Sequence, residues 1–301
     1  MTSEKGATIH LMRVGVVDVG SNTVRLLVAR RNVCNEPLHE ARAYLRLGDE
    51  IDRNGWISEA KLRETVECVR RYAQEAIEHG AHHVDVVITA PGRLAQNADE
   101  LVGAIAQGAA ARVRVLAAEE EALLAFAGVL ACAKRVPESV AVCDSGGGST
   151  ELVVGTRGSP QWVRSLDVGS LTVRRLLPED PPGLDAVQAV RTIVRASLEG
   201  VAPPFPMAAY ATGGTARALG RMIGRTLDPE RLEETIVRLA RRRTKEIARK
   251  YDLDPNRAWS LIGGAIVLAE VQCRLGVPFE VARTGMREGV ATMAFAELAA
   301  A

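Results

Sequence analysis

The sequence predicts an α/β protein of two similarly organised domains, and three observations carry that expectation. The first is a repeat. Val14-Gly15-Val16-Val17-Asp18-Val19-Gly20-Ser21-Asn22-Thr23 returns, a domain's length further on, as Val140-Ala141-Val142-Cys143-Asp144-Ser145-Gly146-Gly147-Gly148-Ser149-Thr150. Each copy is an apolar run, an Asp, a glycine-bearing turn with hydroxyl residues, and a second apolar run. The second observation is the alternation of short β-branched runs with longer segments of helical period. The third is length, since 301 residues suffice for two cores.

Taken in order, Val14–Val17 and Val24–Val28 flank Asp18–Thr23 and read as strand, turn, strand. Ser58 is placed to cap a helix in which Leu62, Val66, Val69, Ala73 and Ile77 recur at helical spacing, and Gly80 stops it. Val84–Ile88 is a strand running into Thr89-Ala90-Pro91-Gly92-Arg93; a helix over 99–110 and a strand over 113–116 follow. Glu119-Glu120-Glu121 then leads into an apolar helix, Ala122–Leu130. The second half repeats the plan. Val140–Cys143 and Glu151–Val154 bracket the glycine loop, with Trp162–Leu166 as a third strand. Leu184–Leu198 is helical, and Met207–Ala211 is a strand entering Thr212-Gly213-Gly214-Thr215-Ala216 and a further helix. Leu227–Tyr251, Arg257–Leu275 and Met286–Ala301 complete the chain as helices. The shift near Lys134–Pro137 gives domains 1–134 and 135–301.

Composition narrows the function. A hydrophobic content of 47% with 25% charged residues is that of a soluble globular protein. Net charge of +1 gives no overall attraction to nucleic acid or anionic membrane, and 4% aromatics leave few platforms for stacked bases. Neither partner is expected. No apolar run approaches the roughly 18 residues of a membrane span, and Met1–Met12 lacks the apolar core of a secretion signal. Five widely spaced cysteines without Cys-x-x-Cys fit reduced thiols in a cytoplasmic protein, not a structural zinc site. His82-His83 has no metal-ligand spacing, and Trp56 and Trp162 read as packing residues.

In each repeated turn, successive backbone N–H groups can converge on a phosphate oxygen, because glycine permits close approach and positive φ. Gly20, Ser21, Asn22 and Thr23 form one such loop; Gly146, Gly147, Gly148 and Ser149 form the other. Asp18 and Asp144 would repel a bare phosphate, so a divalent cation suits them. A tight hairpin with local Asp bonds explains one loop equally well, but not two of matching sequence. Gly213, Gly214 and Thr215 open a helix whose amides suit an anion or a nucleotide-like group; plain strand–helix packing also accounts for them. Glu119–Glu121 fits acids favoured by a helix N-terminus, or a carboxylate that orients water. Arg93 can grip a phosphate bidentately.

The two loops and Thr212–Ala216 resemble the phosphate-1, phosphate-2 and adenosine motifs of the actin, Hsp70 and sugar-kinase superfamily. More closely, the chain resembles the Ppx/GppA family of exopolyphosphatases and guanosine pentaphosphate phosphohydrolases. Asp18–Thr23, Leu45-Arg46-Leu47-Gly48, Arg93 with Asn97, Glu120-Glu121-Ala122, Gly146–Leu152 and Met286-Arg287-Glu288-Gly289 carry that likeness. It implies two ribonuclease-H-like (actin-like ATPase) domains with mixed sheets flanked by helices and an interdomain cleft. The last helix, 286–301, is implied to pack back on the first domain. The resemblance further implies a homodimer and Mg²⁺-dependent hydrolysis of a terminal phosphoanhydride, in inorganic polyphosphate or in guanosine pentaphosphate. By the same likeness Glu121 is the catalytic residue that activates water, and Arg93 binds phosphate with the two loops. Asp144 and Glu151 match acids associated with the metal, joined by Asp18 at its strand end. A sugar or acetate kinase uses the same loops, but the Arg93 and Glu121 segments match the phosphatase branch.

The chain departs from the family pattern at four places: Ala117-Ala118-Glu119 for a common Ser-Gly, Leu123 for an arginine, Pro91-Gly92 for small residues, and Ser145 for Ile or Leu. These bear on substrate handling and turnover. They motivate a rival reading, a sensor that binds polyphosphate or guanosine tetra- and pentaphosphate with little catalysis. Arg238, Arg241, Arg242, Arg243, Lys245, Arg249 and Lys250 form a basic stretch. With Glu233, Glu234 and Glu246 as counter-charges it reads as a solvated helix laced by i,i+4 pairs, against a surface for a long polyanion.

Overall fold

The computed structural model describes residues 12–31, 34, 37–109 and 111–300. Most of the Met1–Met12 stretch, with Ala110 and Ala301, lies outside the described residues. The chain forms two compact units, Met1–Cys132 with Met286–Ala301, and Ala133–Gly285. Each contains a mixed sheet flanked by helices, the α/β class expected from the sequence.

In the first unit, β1 (Arg13–Val19), β2 (Val24–Arg30), β3 (His39–Ala43), β4 (His83–Ile88) and β5 (Arg112–Val115) lie in the order β3-β2-β1-β4-β5. β1 runs antiparallel to β2 and parallel to β4. The helices are α1 (Leu47–Asn54), α2 (Glu59–Glu78), α3 (Ala90–Leu94), α4 (Ala98–Gly108), α5 (Ala118–Cys132) and, from the far end of the chain, α12 (Met286–Ala300). Period-two alternation along β1 feeds two cores. Val17 and Val19 join Val69 and Tyr72 of α2 and Leu101 and Ile105 of α4. Val14 and Val16 join Leu124 of α5 and Val290 and Phe295 of α12. Gly15 lets α2 approach the sheet, since a Cβ there would meet Ala76 Cβ at 2.7 Å.

Ser58 caps α2 as expected, its Oγ accepting from the Lys61 amide. The helix after β5 begins earlier than its apolar run, so Glu119, Glu120 and Glu121 occupy its first turn. β3, α1 and α3 have too few apolar residues to announce themselves in the sequence. The cysteines are not all free. Cys34 and Cys132 form a disulfide across 98 residues, while Cys68, Cys143 and Cys273 are thiols. The expectation of reduced thiols fails for this pair because sequence spacing does not report which cysteines a fold juxtaposes.

The second unit has β6 (Val140–Ser145), β7 (Thr150–Thr156), β8 (Ser159–Leu166), β9 (Ala208–Thr212), β10 (Thr226–Leu227) and β11 (Phe279–Val281) in the order β10-β11-β9-β6-β7-β8. Its helices are α6 (Ser170–Arg175), α7 (Leu184–Ser197), α8 (Gly213–Ile223), α9 (Pro229–Ala240), α10 (Thr244–Tyr251) and α11 (Pro255–Leu275). α11 is long and apolar enough to cross a membrane, yet 83% of its apolar window is buried among α6, α8 and the sheet. Gly263 and Gly264 permit that approach: a Cβ on either would overlap Ser170 O or the Thr215 side chain. The single helix expected over 227–251 is broken into β10, α9 and α10. Asp228 caps α9, and Asp180 Oδ1, distant in sequence, accepts from Thr244 N at 2.8 Å and Thr244 Oγ1 at 3.0 Å to start α10.

Thiol titration of the unfolded, unreduced protein should count the three free cysteines, and all five after reduction. Cys34→Ser should lower unfolding stability by about 2–4 kcal/mol in denaturant titrations without reductant and change nothing when reductant is present. Equal stability of the two proteins in both conditions would contradict the linkage.

Candidate active site

The first loop is braced from behind. Gly20 N donates to Thr23 O at 3.0 Å and closes the turn between β1 and β2. Arg46 N and Gly48 N then take the carbonyls of Asn22 and Ser21, at 3.1 and 2.8 Å. Arg46 adopts a left-handed conformation, φ 55°, to present its amide there, and Gly48 sits with its Cβ position 3.0 Å from Ser21 Cβ. The Leu45–Gly48 motif is therefore the mould of the first glycine-bearing loop. With the carbonyls so engaged, the Ser21 and Asn22 amides have no acceptor among the described residues.

Asp18 ends β1 opposite Arg25 of β2. Its Oδ1 is buried without a hydrogen-bond partner. Burial holds the carboxyl above the usual carboxylate range, opposed by Arg25 and Arg287 and reinforced by Glu288. Arg287, from the first turn of α12, donates to Leu26 O at 2.9 Å and to Glu40 Oε1 at 2.8 Å, tying that helix to β2 and β3. Gly289 lets α12 lie against α5, because any Cβ there would overlap Leu124 O. Arg25 and Arg287 were not among the predicted site residues; the Met286–Gly289 motif held the clue.

Arg93 and Glu121 meet. Arg93 Nη1 donates to Glu121 Oε2 at 2.9 Å and to Leu116 O at 2.8 Å. Both side chains are largely enclosed, 21% and 13% exposed. Arg93 reaches this position from α3, a single turn packed on the sheet at Gly92, where a Cβ would lie 2.9 Å from Val115 Cγ1. Pro91-Gly92 is thus a packing adaptation. Arg93 Nε and Nη2 make no hydrogen bond among the described residues. Glu120 points elsewhere, to Arg114 Nη1 at 2.6 Å. Asn97 is structural: its amide group brackets Ile57, accepting from N at 3.0 Å and donating to O at 2.9 Å.

The second loop is braced in the same way by a different element. Gly146 N donates to Ser149 O at 2.9 Å; Gly146 O accepts from Ser170 N at 3.0 Å, and Gly147 O from Leu171 N at 2.8 Å. The start of α6 therefore draws the loop carbonyls inward, leaving the Gly147 and Gly148 amides without acceptors among the described residues. Asp144 and Glu151 are register partners across β6 and β7, and Glu151 Oε1 accepts from Ser165 Oγ at 3.1 Å. Burial and these two carboxylates push the Cys143 thiol well up. Gly213, at φ 92°, lies with its Cβ position 2.7 Å from Ser145 O and 3.0 Å from Asp144 Oδ1. Gly214 is covered by the Arg257 guanidinium, a residue the sequence reading did not single out. Thr215 is fully buried against Gly264 and faces the core, so its hydroxyl is not presented at the helix end.

No group of three or more His, Cys, Asp or Glu side chains that could hold a metal occurs among the described residues. Mg²⁺ is commonly held by one or two carboxylates together with substrate phosphates. In the first unit Asp18 Oδ1 is buried without a hydrogen-bond partner, and in the second Asp144 and Glu151 stand side by side; each is by itself carboxylate chemistry that a hard cation accepts.

The model of the Ppx/GppA phosphatase family matches residues 27–296. The chain belongs to that family, and it is a hydrolase of phosphoric anhydrides. It is 28% identical over 299 residues to Exopolyphosphatase 1 of Mycobacterium tuberculosis, covering 93% of this chain and 87% of the relative. Exopolyphosphatase 2 of the same organism is 30% identical over 291 residues, covering 87% and 90%. Among solved structures, an exopolyphosphatase from Cytophaga hutchinsonii superposes with a TM-score of 0.85 at 21% identity over 95% of this chain and 98% of that one. An Aquifex aeolicus Ppx/GppA family member gives 0.81 at 24% identity over 95% and 98%. These likenesses bear out the fold expected from the loops.

Asp18→Asn should raise the unfolding midpoint of the metal-free protein at neutral pH. The raised carboxyl means that the fold opposes ionisation, a penalty absent below about pH 4, where the residue is protonated in both states, and complete above its native pKa. The gain should therefore vanish in acid. A variant less stable than wild type at pH 7 would show that the Asp18 charge is compensated in the fold.

Proposed function

We propose that this chain removes the terminal phosphate of inorganic polyphosphate as orthophosphate, with Mg²⁺ and with a water activated by Glu121. Relatives named exopolyphosphatase over most of both chains support the substrate. The Arg93–Glu121 contact carries the mechanism, because Glu121 is enclosed where Glu120, held by Arg114, is 39% exposed, and because Arg93 retains donors for phosphate.

Phosphoanhydride hydrolysis asks for an oriented water, neutralised charge and in-line geometry more than for covalent chemistry. Glu121 accepts a proton as the water oxygen attacks the terminal phosphorus, and the bond to the bridging oxygen breaks. The shortened chain departs as a phosphate anion. Arg93 uses Nε and Nη2 for a phosphoryl oxygen. The amides of Ser21 and Asn22 in the first unit, and those of Gly147 and Gly148 in the second, are free to take phosphoryl oxygens, and they are preorganised because neighbouring loop carbonyls are already bonded from behind. Asp18 in the first unit and, separately, Asp144 with Glu151 in the second are carboxylates of the kind that would hold Mg²⁺, which when bound would neutralise charge on phosphoryl oxygens. The amides of Gly213 and Gly214, beside Arg257, offer an additional anion contact.

Glu121→Gln should lower kcat by about 10²–10⁴-fold while leaving the Kd for polyphosphate nearly unchanged, measured by phosphate release and by titration. Wild-type turnover in this variant would refute the assigned base. Phosphate release from guanosine pentaphosphate but from no length of polyphosphate would transfer the assignment to the nucleotide. Tight binding of either without turnover would favour the sensor.

A further inference from the structure

The basic stretch behaves differently from the solvated, internally paired helix that its sequence suggests. Seven cations fall within residues 238–250 against one carboxylate, Glu246, in a chain whose net charge is only +1. Glu233, one candidate counter-charge, is engaged by α7 of the second unit. Its carboxylate accepts from Arg191 Nη1 and Nη2 at 2.6 and 2.7 Å, within a cluster in which buried Glu270 also holds Arg191 and Arg195. Glu234 and Glu246 are exposed and form no ion pair among the described residues. Surface pairs do form on α2, where Glu59–Arg63, Lys61–Glu64 and Glu67–Arg70 close at 2.5–2.7 Å.

Arg241, Arg242 and Arg243 occupy the exposed break between α9 and α10. Lys245 and Arg249 follow at i,i+4 on α10, where like charges repel. None of these five has a carboxylate partner among the described residues. The break is held open by Asp180, which fixes Thr244 through its backbone amide and hydroxyl, so the three arginines are displayed by the fold rather than wound into a helix. Tyr251, at the end of α10, is covered: Arg238 donates to its hydroxyl at 3.0 Å and Lys250 Nζ lies 5.3 Å from its ring centroid.

We infer that the Arg241–Arg243 break and the Lys245/Arg249 face of α10 form an accessory binding surface for the body of a linear polyphosphate chain. A row of exposed cations that make no ion pair among the described residues, beside a Tyr251 already covered, suits a polyanion that has charges and no bases. The surface would raise affinity for long chains without touching the bond that breaks. This rests on the proposed polyphosphate substrate, so binding is tested apart from hydrolysis.

The test uses the full chain carrying Glu121→Gln, titrated with long-chain polyphosphate and with tripolyphosphate, with and without Arg241→Gln, Arg242→Gln and Lys245→Gln together. The triple change should weaken long-chain binding about tenfold or more and reduce the slope of log affinity against log salt by about 2, as loss of three contacts to a single-stranded polyanion implies. Tripolyphosphate binding and the unfolding midpoint should hold, and Arg241→Lys with Arg242→Lys should keep long-chain binding. Unchanged long-chain affinity, an equal loss for tripolyphosphate, or a loss confined to an RNA oligonucleotide would overturn the inference. Hydrolysis by the wild-type protein reports separately on the substrate assignment.

Discussion

The contact between Arg93 and Glu121 is the interaction on which the proposed chemistry of the first unit depends. A glutamate at a helix N-terminus is ordinarily one of several acids that the macrodipole favours, and three stand in a row here. The fold separates them by giving Glu120 to Arg114 and Glu121 to Arg93. Arg93 can do this because α3 is a single turn pressed onto the sheet at Gly92, and because Leu116 O fixes its Nη1 from the other side. An enclosed carboxylate with a fixed rotamer can hold a water in one direction. A solvated one cannot.

Both glycine-bearing loops obey one constraint, although different elements impose it. A phosphate site made of amides needs its carbonyls turned away and satisfied. In the first unit the Arg46–Gly48 turn supplies the donors; in the second the start of α6 supplies them. The repeat in the sequence is thus the visible half of the device. The bracing half differs between the units and follows no shared pattern.

That division explains what could be read in advance. The β-turn-β repeats, the cap at Ser58 and the long core helix α11 are local in origin, and they stand where the sequence indicates. The features that were misread depend on distant partners. Asp180 breaks the expected helix at 241–243 from 64 residues away. Cys132 finds Cys34 across 98 residues, and Arg191 takes Glu233 from the basic stretch. The Thr215 side chain is covered by Gly264 of α11, which leaves its backbone amide as its only contribution at the helix start. Glu121 could be chosen over Glu120 from family resemblance. Only the placement of Arg93 and Arg114 supplies a physical reason.

In the proposed mechanism Arg93 and Glu121 act as one unit in hydrolysis. A double-mutant cycle on kcat for polyphosphate hydrolysis, using Arg93→Gln, Glu121→Gln and both together, measures this most directly. Arg93→Gln should cost far more in the wild-type background than in the Glu121→Gln background, because the arginine's positioning role has then lost its object. Losses that simply multiply, with Arg93→Gln equally costly in either background, would contradict the account.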